Sequence, residues 1–130
     1  MWDFAGAHRI LYLTASWCAV CIPEASELQD RTLAFVEETG IPFSYMIVLY
    51  EDIHANAPDG ADATAYAEEV SAELIPVLSS LDQTIMTATP WDPMVLPGKC
   101  LLSPDLTILD CKTGHGDDEE YFDIIQENYP

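Results

Sequence analysis

The chain is poor in positive charge. Arg9, Arg31, Lys99 and Lys112 stand against 23 acidic residues, and the formal net charge of the 130-residue chain is −19. Phosphate backbones are bound by cationic side chains, so this balance excludes nucleic acid as a partner class. Anionic membrane surfaces are disfavoured for the same reason. No apolar run is long enough to cross a bilayer. The opening Met1-Trp2-Asp3-Phe4 lacks the basic start and apolar core of a secretory signal. The first strand nevertheless begins close to the start, which is the expectation for a domain cut from a longer, exported precursor. The acidity itself has two readings, solubility in a salty habitat or selection of basic partners.

Histidine is equally scarce. His8, His54 and His115 are scattered, and none has ligand spacing to another ligand type. Cys18, Cys21 and a histidine are the only metal-like set, so no metal and no other cofactor is expected. His115 stands apart, on a loop near the expected site.

What the chain does have is apolar content, 49% of its residues, in one stretch of single-domain length. A single domain is expected over 1–130. Trp2 to His8 reads as a short lead-in helix, and Ile10 to Ala15 as a buried strand. Cys18 to Thr39 follows as a helix ending at Gly40, with Pro23 near its start. A second strand runs from Phe43 to Leu49, after Pro42. Pro58-Asp59-Gly60 closes a polar loop, and Ala61 to Leu74 is helical. Pro76 to Ser79 is a short edge strand, because proline forbids a central place in a sheet. Gln83 to Pro93 carries no clear pattern. Strands at Lys99–Leu102 and Thr107–Lys112 form a hairpin through Ser103-Pro104-Asp105-Leu106, and Asp117 to Tyr129 is a terminal helix. The first two strands must be parallel through a right-handed crossover, and the hairpin is antiparallel. The fold class is therefore α/β: a mixed sheet of four to five strands with helices on both faces.

The chemistry concentrates where the first strand meets the first helix, at Trp17-Cys18-Ala19-Val20-Cys21. Two thiols one helical turn apart can close a disulfide, and a helix N-terminus can stabilise a thiolate. Cys18, the first of the pair, is expected to be the exposed nucleophile, and Cys21 the resolving thiol. Trp17 has two readings, apolar wall or core packing.

With this motif, with Leu96-Pro97 before the hairpin, and with Gly114 after it, the chain resembles the thioredoxin superfamily over nearly its full length. That resemblance implies a three-layer sandwich, a cis proline at Pro97 facing Cys18 and Cys21, and a groove lined by Trp17, Leu96, Pro97 and Gly114. The long interval from Cys18 to Pro97 favours the exported branch similar to the TlpA- and ResA-like reductases. Two departures matter. Tyr12 stands where thioredoxins have a buried acid, and a tyrosine is not ionised near neutrality without help. Ala19-Val20 brings no cation to the Cys18 thiolate, which points to a reductant. The resemblance thus implies a thiol–disulfide oxidoreductase acting on a disulfide-containing protein, with a thiol protein as electron donor or acceptor, outside the cytoplasm. The alternative is a non-catalytic interaction module with a static disulfide.

Cys100 and Cys111 fall opposite each other if the hairpin loop has four residues, and on opposite faces if the register slips by one. Buried free thiols, a structural disulfide and a second redox pair all remain open.

Overall fold

The computed structural model describes residues 6–80 and 96–129. Five strands make one sheet: β1 (His8–Thr14), β2 (Phe43–Leu49), β3 (Val77–Ser79), β4 (Gly98–Leu102) and β5 (Ile108–Thr113). Their spatial order is β3-β2-β1-β4-β5. β1 and β2 are parallel, as are β2 and β3, whereas β4 is antiparallel to both β1 and β5. The short strand after Pro76 lies at an edge, as its proline requires.

Alternation along the strands divides the apolar residues into two clusters. Ile10, Tyr12, Phe43, Tyr45, Ile47, Leu49 and Leu101 point to one face, and Leu11, Leu13, Val48, Cys100 and Leu102 to the other. The first face is covered by α1 (Ile22–Ala25), α2 (Leu28–Thr39), α3 (Gly60–Glu69) and α4 (Glu119–Asn128). These helices contribute Ala25, Leu28, Phe35, Tyr66, Tyr121 and Ile125 to its cluster. Among the described residues no helix covers the second face; Gln83–Pro93, Trp91 and most of the expected lead-in helix lie outside the described residues. His8, its last residue, opens β1 instead.

The single helix expected from Cys18 to Thr39 is three pieces. A 3-10 turn, Ala19–Cys21, leads into α1, whose first turn contains Pro23. The chain then breaks at Ser26 and Glu27 before α2 begins. Ser26 donates its hydroxyl to the Ile22 carbonyl at 2.8 Å, the back-bonding that bends helices. α2 stops at Gly40, whose φ of 69° suits glycine at a left-handed cap.

α3 starts one residue earlier than expected and ends sooner. Asp59 is its N-cap rather than a mere turn residue. It accepts from the Asp62 N–H at 3.0 Å, while the Asp62 carboxylate takes the Asp59 N–H at 2.8 Å. The hairpin turn is as expected: the Leu106 N–H donates to the Ser103 carbonyl at 2.9 Å, with Pro104 at the second position.

Candidate functional site

β1 is buried along its whole length and delivers the chain to the top of the sheet at Ala15. There the Cys18 N–H donates to the Ala15 carbonyl at 3.1 Å, and the Cys21 N–H to the Cys18 carbonyl at 3.1 Å. This tight turn brings the two cysteines to a Cα separation of 5.4 Å, and they are joined as a disulfide. Cys18 keeps 4% of its surface exposed and Cys21 none. Cys18 is therefore less exposed than expected, yet it is the sulfur an incoming thiol would meet first. The dipole behind it is also weaker than a continuous helix would provide, because the helix breaks after Ala25.

The register carries Leu96-Pro97 to the same end of the sheet. Leu13 lies opposite Gly98 across the antiparallel β1–β4 pair, so the residues before Gly98 lie beside the chain leaving β1. The Leu96–Pro97 peptide is cis. The Pro97 carbonyl accepts the Gly114 N–H at 2.9 Å, which joins two of the expected groove residues directly. Gly114 has a φ of 98°, and a Cβ there would meet nothing within 4 Å, so glycine answers a backbone requirement and not a space requirement. Trp17 is 41% exposed, and its indole N–H donates to Glu51 at 2.9 Å. Core packing, the other reading of Trp17, is thereby excluded. Val20, three residues on, is exposed as well.

One turn past the motif lies a group that the sequence reading missed. Glu24 follows Cys21 by one helical turn and is buried. Its Oε2 accepts from Lys99 Nζ at 3.0 Å, from the Gly116 N–H at 3.0 Å and from Arg31 Nη1 at 3.3 Å. Its Oε1 is buried without a hydrogen-bond partner. Lys99, fully buried, donates also to Asp118 Oδ1 and to the Gly116 carbonyl, each at 3.0 Å. Lys112 stands directly opposite Lys99 in the β4–β5 ladder, a pairing that ought to repel. Both lysines converge on Asp118 Oδ1, which removes that conflict. Tyr45 and Arg31 hold Asp118 Oδ2. Burial works against the Asp118 anion, but the Tyr45 hydroxyl and Lys99 outweigh it and hold its carboxyl below the usual range. Three of the chain's four cations are thus committed to carboxylates in this cluster.

Tyr12 lies between this cluster and the disulfide. Its hydroxyl donates to the Cys21 carbonyl at 3.2 Å. Burial, reinforced by the neighbouring Glu24 carboxylate, pushes the phenol up, well beyond its ordinary value. Tyr12 stays protonated, as its residue type foretold. One signal for Glu24 was present in the sequence: a lysine at the head of a buried strand demands an acid, and Glu24 sits among apolar residues in the helix after the motif.

Cys100 and Cys111 are opposite each other in the ladder and joined as a second disulfide. The ladder shifts by one residue between Leu101 and Leu102, on the turn side of the cysteines. Among the described residues, no group of three or more His, Cys, Asp or Glu side chains is placed to hold a metal ion.

No protein-family model matches the chain, and none of the curated proteins matches it by sequence. Solved structures do match. The exposed lipoprotein thioredoxin of Streptococcus pneumoniae superposes with a TM-score of 0.62 at 16% identity, over 96% of this chain and 87% of that one. A thiol:disulfide interchange protein from a Bacteroides species gives 0.62 at 16% identity, over 97% and 75%. Copper-bound yeast Sco1 gives 0.67 at 16% identity, over 98% and 82%. At this level of identity the likeness establishes the thioredoxin fold.

Proposed function

We propose that the chain is a thiol–disulfide oxidoreductase that reduces protein disulfides through Cys18 and Cys21. The observation that carries this reading is a CxxC disulfide at the strand–helix junction, backed by a buried carboxylate one turn on. In the reduced protein the Cys18 thiolate attacks one sulfur of a target disulfide, giving a mixed disulfide and releasing the other target sulfur as a thiolate. Cys21 then loses its proton to Glu24 Oε1 and attacks the Cys18 sulfur. The second target thiol leaves, and the Cys18–Cys21 disulfide closes with two electrons passed to the target. A thiol protein restores the dithiol. Glu24 thereby takes the part that Tyr12 cannot.

The target docks as an extended segment along the Leu96 backbone, in the manner of an added strand. Pro97 turns that backbone toward the cysteines, Gly114 holds Pro97 through its carbonyl, and Trp17 walls the groove. The absence of a cation on Ala19 or Val20 and the short helix behind Cys18 both leave the thiolate poorly stabilised. A poorly stabilised thiolate favours the disulfide form, hence donation of electrons. A second disulfide supports an oxidising compartment outside the cytoplasm. The branch this matches is the TlpA- and ResA-like one.

Insulin-disulfide reduction with a thiol donor tests the reading. The parent is expected to turn over and Cys18→Ser to fall to the uncatalysed rate. Equal rates for the two would leave a static disulfide on an interaction module.

A further inference from the structure

Cys21 and Glu24 are buried, so the proton that Cys21 gives up needs a path to water, and among the described residues the cluster offers one. We infer that His115 is the exit, a positioning residue that passes the proton from Glu24 Oε1 to bulk solvent. This inference rests on the oxidoreductase reading.

The argument is one of elimination over the groups around Glu24. Its Oε2 is saturated by Lys99, Arg31 and the Gly116 N–H, so a proton can reside only on Oε1, the oxygen without a hydrogen bond. His115 Nδ1 lies 3.5 Å from that oxygen. Catalytic hydrogen bonds are commonly this long before substrate arrives. The histidine side chain is 44% exposed, whereas that of Glu24 is 6% exposed. The other members of the cluster fail for separate reasons. Lys99 is fully buried and donates to three acceptors. Arg31 reaches solvent but does not release a proton at working pH. Lys112 contacts Asp118 and not Glu24. Asp118 spends both oxygens on Tyr45, Arg31, Lys99 and Lys112. Tyr12 and Tyr45 are both pushed up by burial and neighbouring carboxylates, and they keep their protons.

The backbone supports the placement. Gly114 is tied to the Pro97 carbonyl and Gly116 to Glu24, so His115 is pinned between two anchored residues. Gly116 has a φ of 143°, which lets the loop offer its N–H to Glu24 while its carbonyl accepts from Lys99 and Arg31. The transfer balances simply. Glu24 Oε1–H gives its proton to Nδ1, the opposite ring nitrogen releases one to water, and Glu24 returns to the carboxylate. In the oxidising direction the same steps run backward.

The test isolates Cys21's attack. Reduced protein is mixed with dithionitrobenzoate in stopped flow across pH: Cys18's attack forms the mixed disulfide and releases one coloured thionitrobenzoate, and Cys21's attack on it releases the second. His115→Ala and His115→Gln are expected to slow the second release roughly a hundredfold near neutral pH, the low end of proton-transfer contributions. Both should converge on the parent in alkali, where hydroxide takes the proton directly. Added imidazole should restore His115→Ala and leave the parent unchanged. A purely packing role would spare His115→Gln and give no imidazole rescue. His115→Gln tracking the parent at every pH, or His115→Ala indifferent to imidazole, overturns the relay alone. A parent that releases the second thionitrobenzoate no faster than Cys21→Ser overturns the oxidoreductase reading and the relay with it.

Discussion

Breaking the Cys100–Cys111 link should cost stability through the unfolded chain more than through the folded one. The cysteines are separated by 11 residues in sequence and paired in the β4–β5 ladder. Closing a loop of that length removes about 9 cal/mol/K from the unfolded ensemble, or about 3 kcal/mol at room temperature. The folded hairpin keeps its ladder to β1 without the bridge, because those hydrogen bonds are made by the backbone. Cys100 is fully buried among Leu11, Leu13 and Leu102, so cutting it to alanine adds about 1 kcal/mol of lost packing. Cys100→Ala/Cys111→Ala should therefore lose about 3–4 kcal/mol and melt about 10–15 °C lower. Urea melts of oxidised parent and double variant measure this, with a somewhat larger m for the variant as its unfolded chain expands. In reductant the parent loses its cross-link and the gap should shrink to the packing part. A gap that is absent in oxidised protein, or unchanged by reductant, would refute the reasoning.

The buried charge cluster gives sharper sensitivities. Lys99→Met leaves Glu24 and Asp118 without their shared buried cation and should destabilise by about 3–5 kcal/mol in chemical denaturation at neutral pH. Asp118 has a lowered carboxyl in the folded state, so its stabilisation is complete above the unfolded value of about 3.9 and is lost as pH falls through the folded value. Melts across acid pH should show that loss in the parent and a flatter profile in Asp118→Asn, which starts lower at neutral pH. At the start of α3, Asp59→Ala removes a reciprocal cap and should cost about 1 kcal/mol by thermal melting.

Local pattern reached far into this molecule. The five described strands and the edge place of the one after Pro76 follow from alternation and proline, which act over a few residues, whereas the register that sets Cys100 against Cys111 was left open by the sequence and includes a one-residue shift next to it. Apolar spacing persists through Ser26 and Glu27, so periodicity alone makes the helix after the motif continuous. The break comes from a hydroxyl competing for a carbonyl, which periodicity does not register. Its position at a helix start predicts an exposed Cys18, but the tight turn from Ala15 tucks it in.

Glu24 is the instructive case. The strand and the Trp-Cys-x-x-Cys junction were determined by the sequence alone, because alternation and a three-residue cysteine spacing are properties of neighbours along the chain. The buried charge cluster was decided only in three dimensions. Glu24, Lys99 and the His115–Asp118 loop come from three separate segments, and only the folded sheet brings them within 3.0–3.5 Å. Burial took water from the Glu24 carboxylate and left one of its oxygens unbonded, and neither condition is written in the identity of the residue.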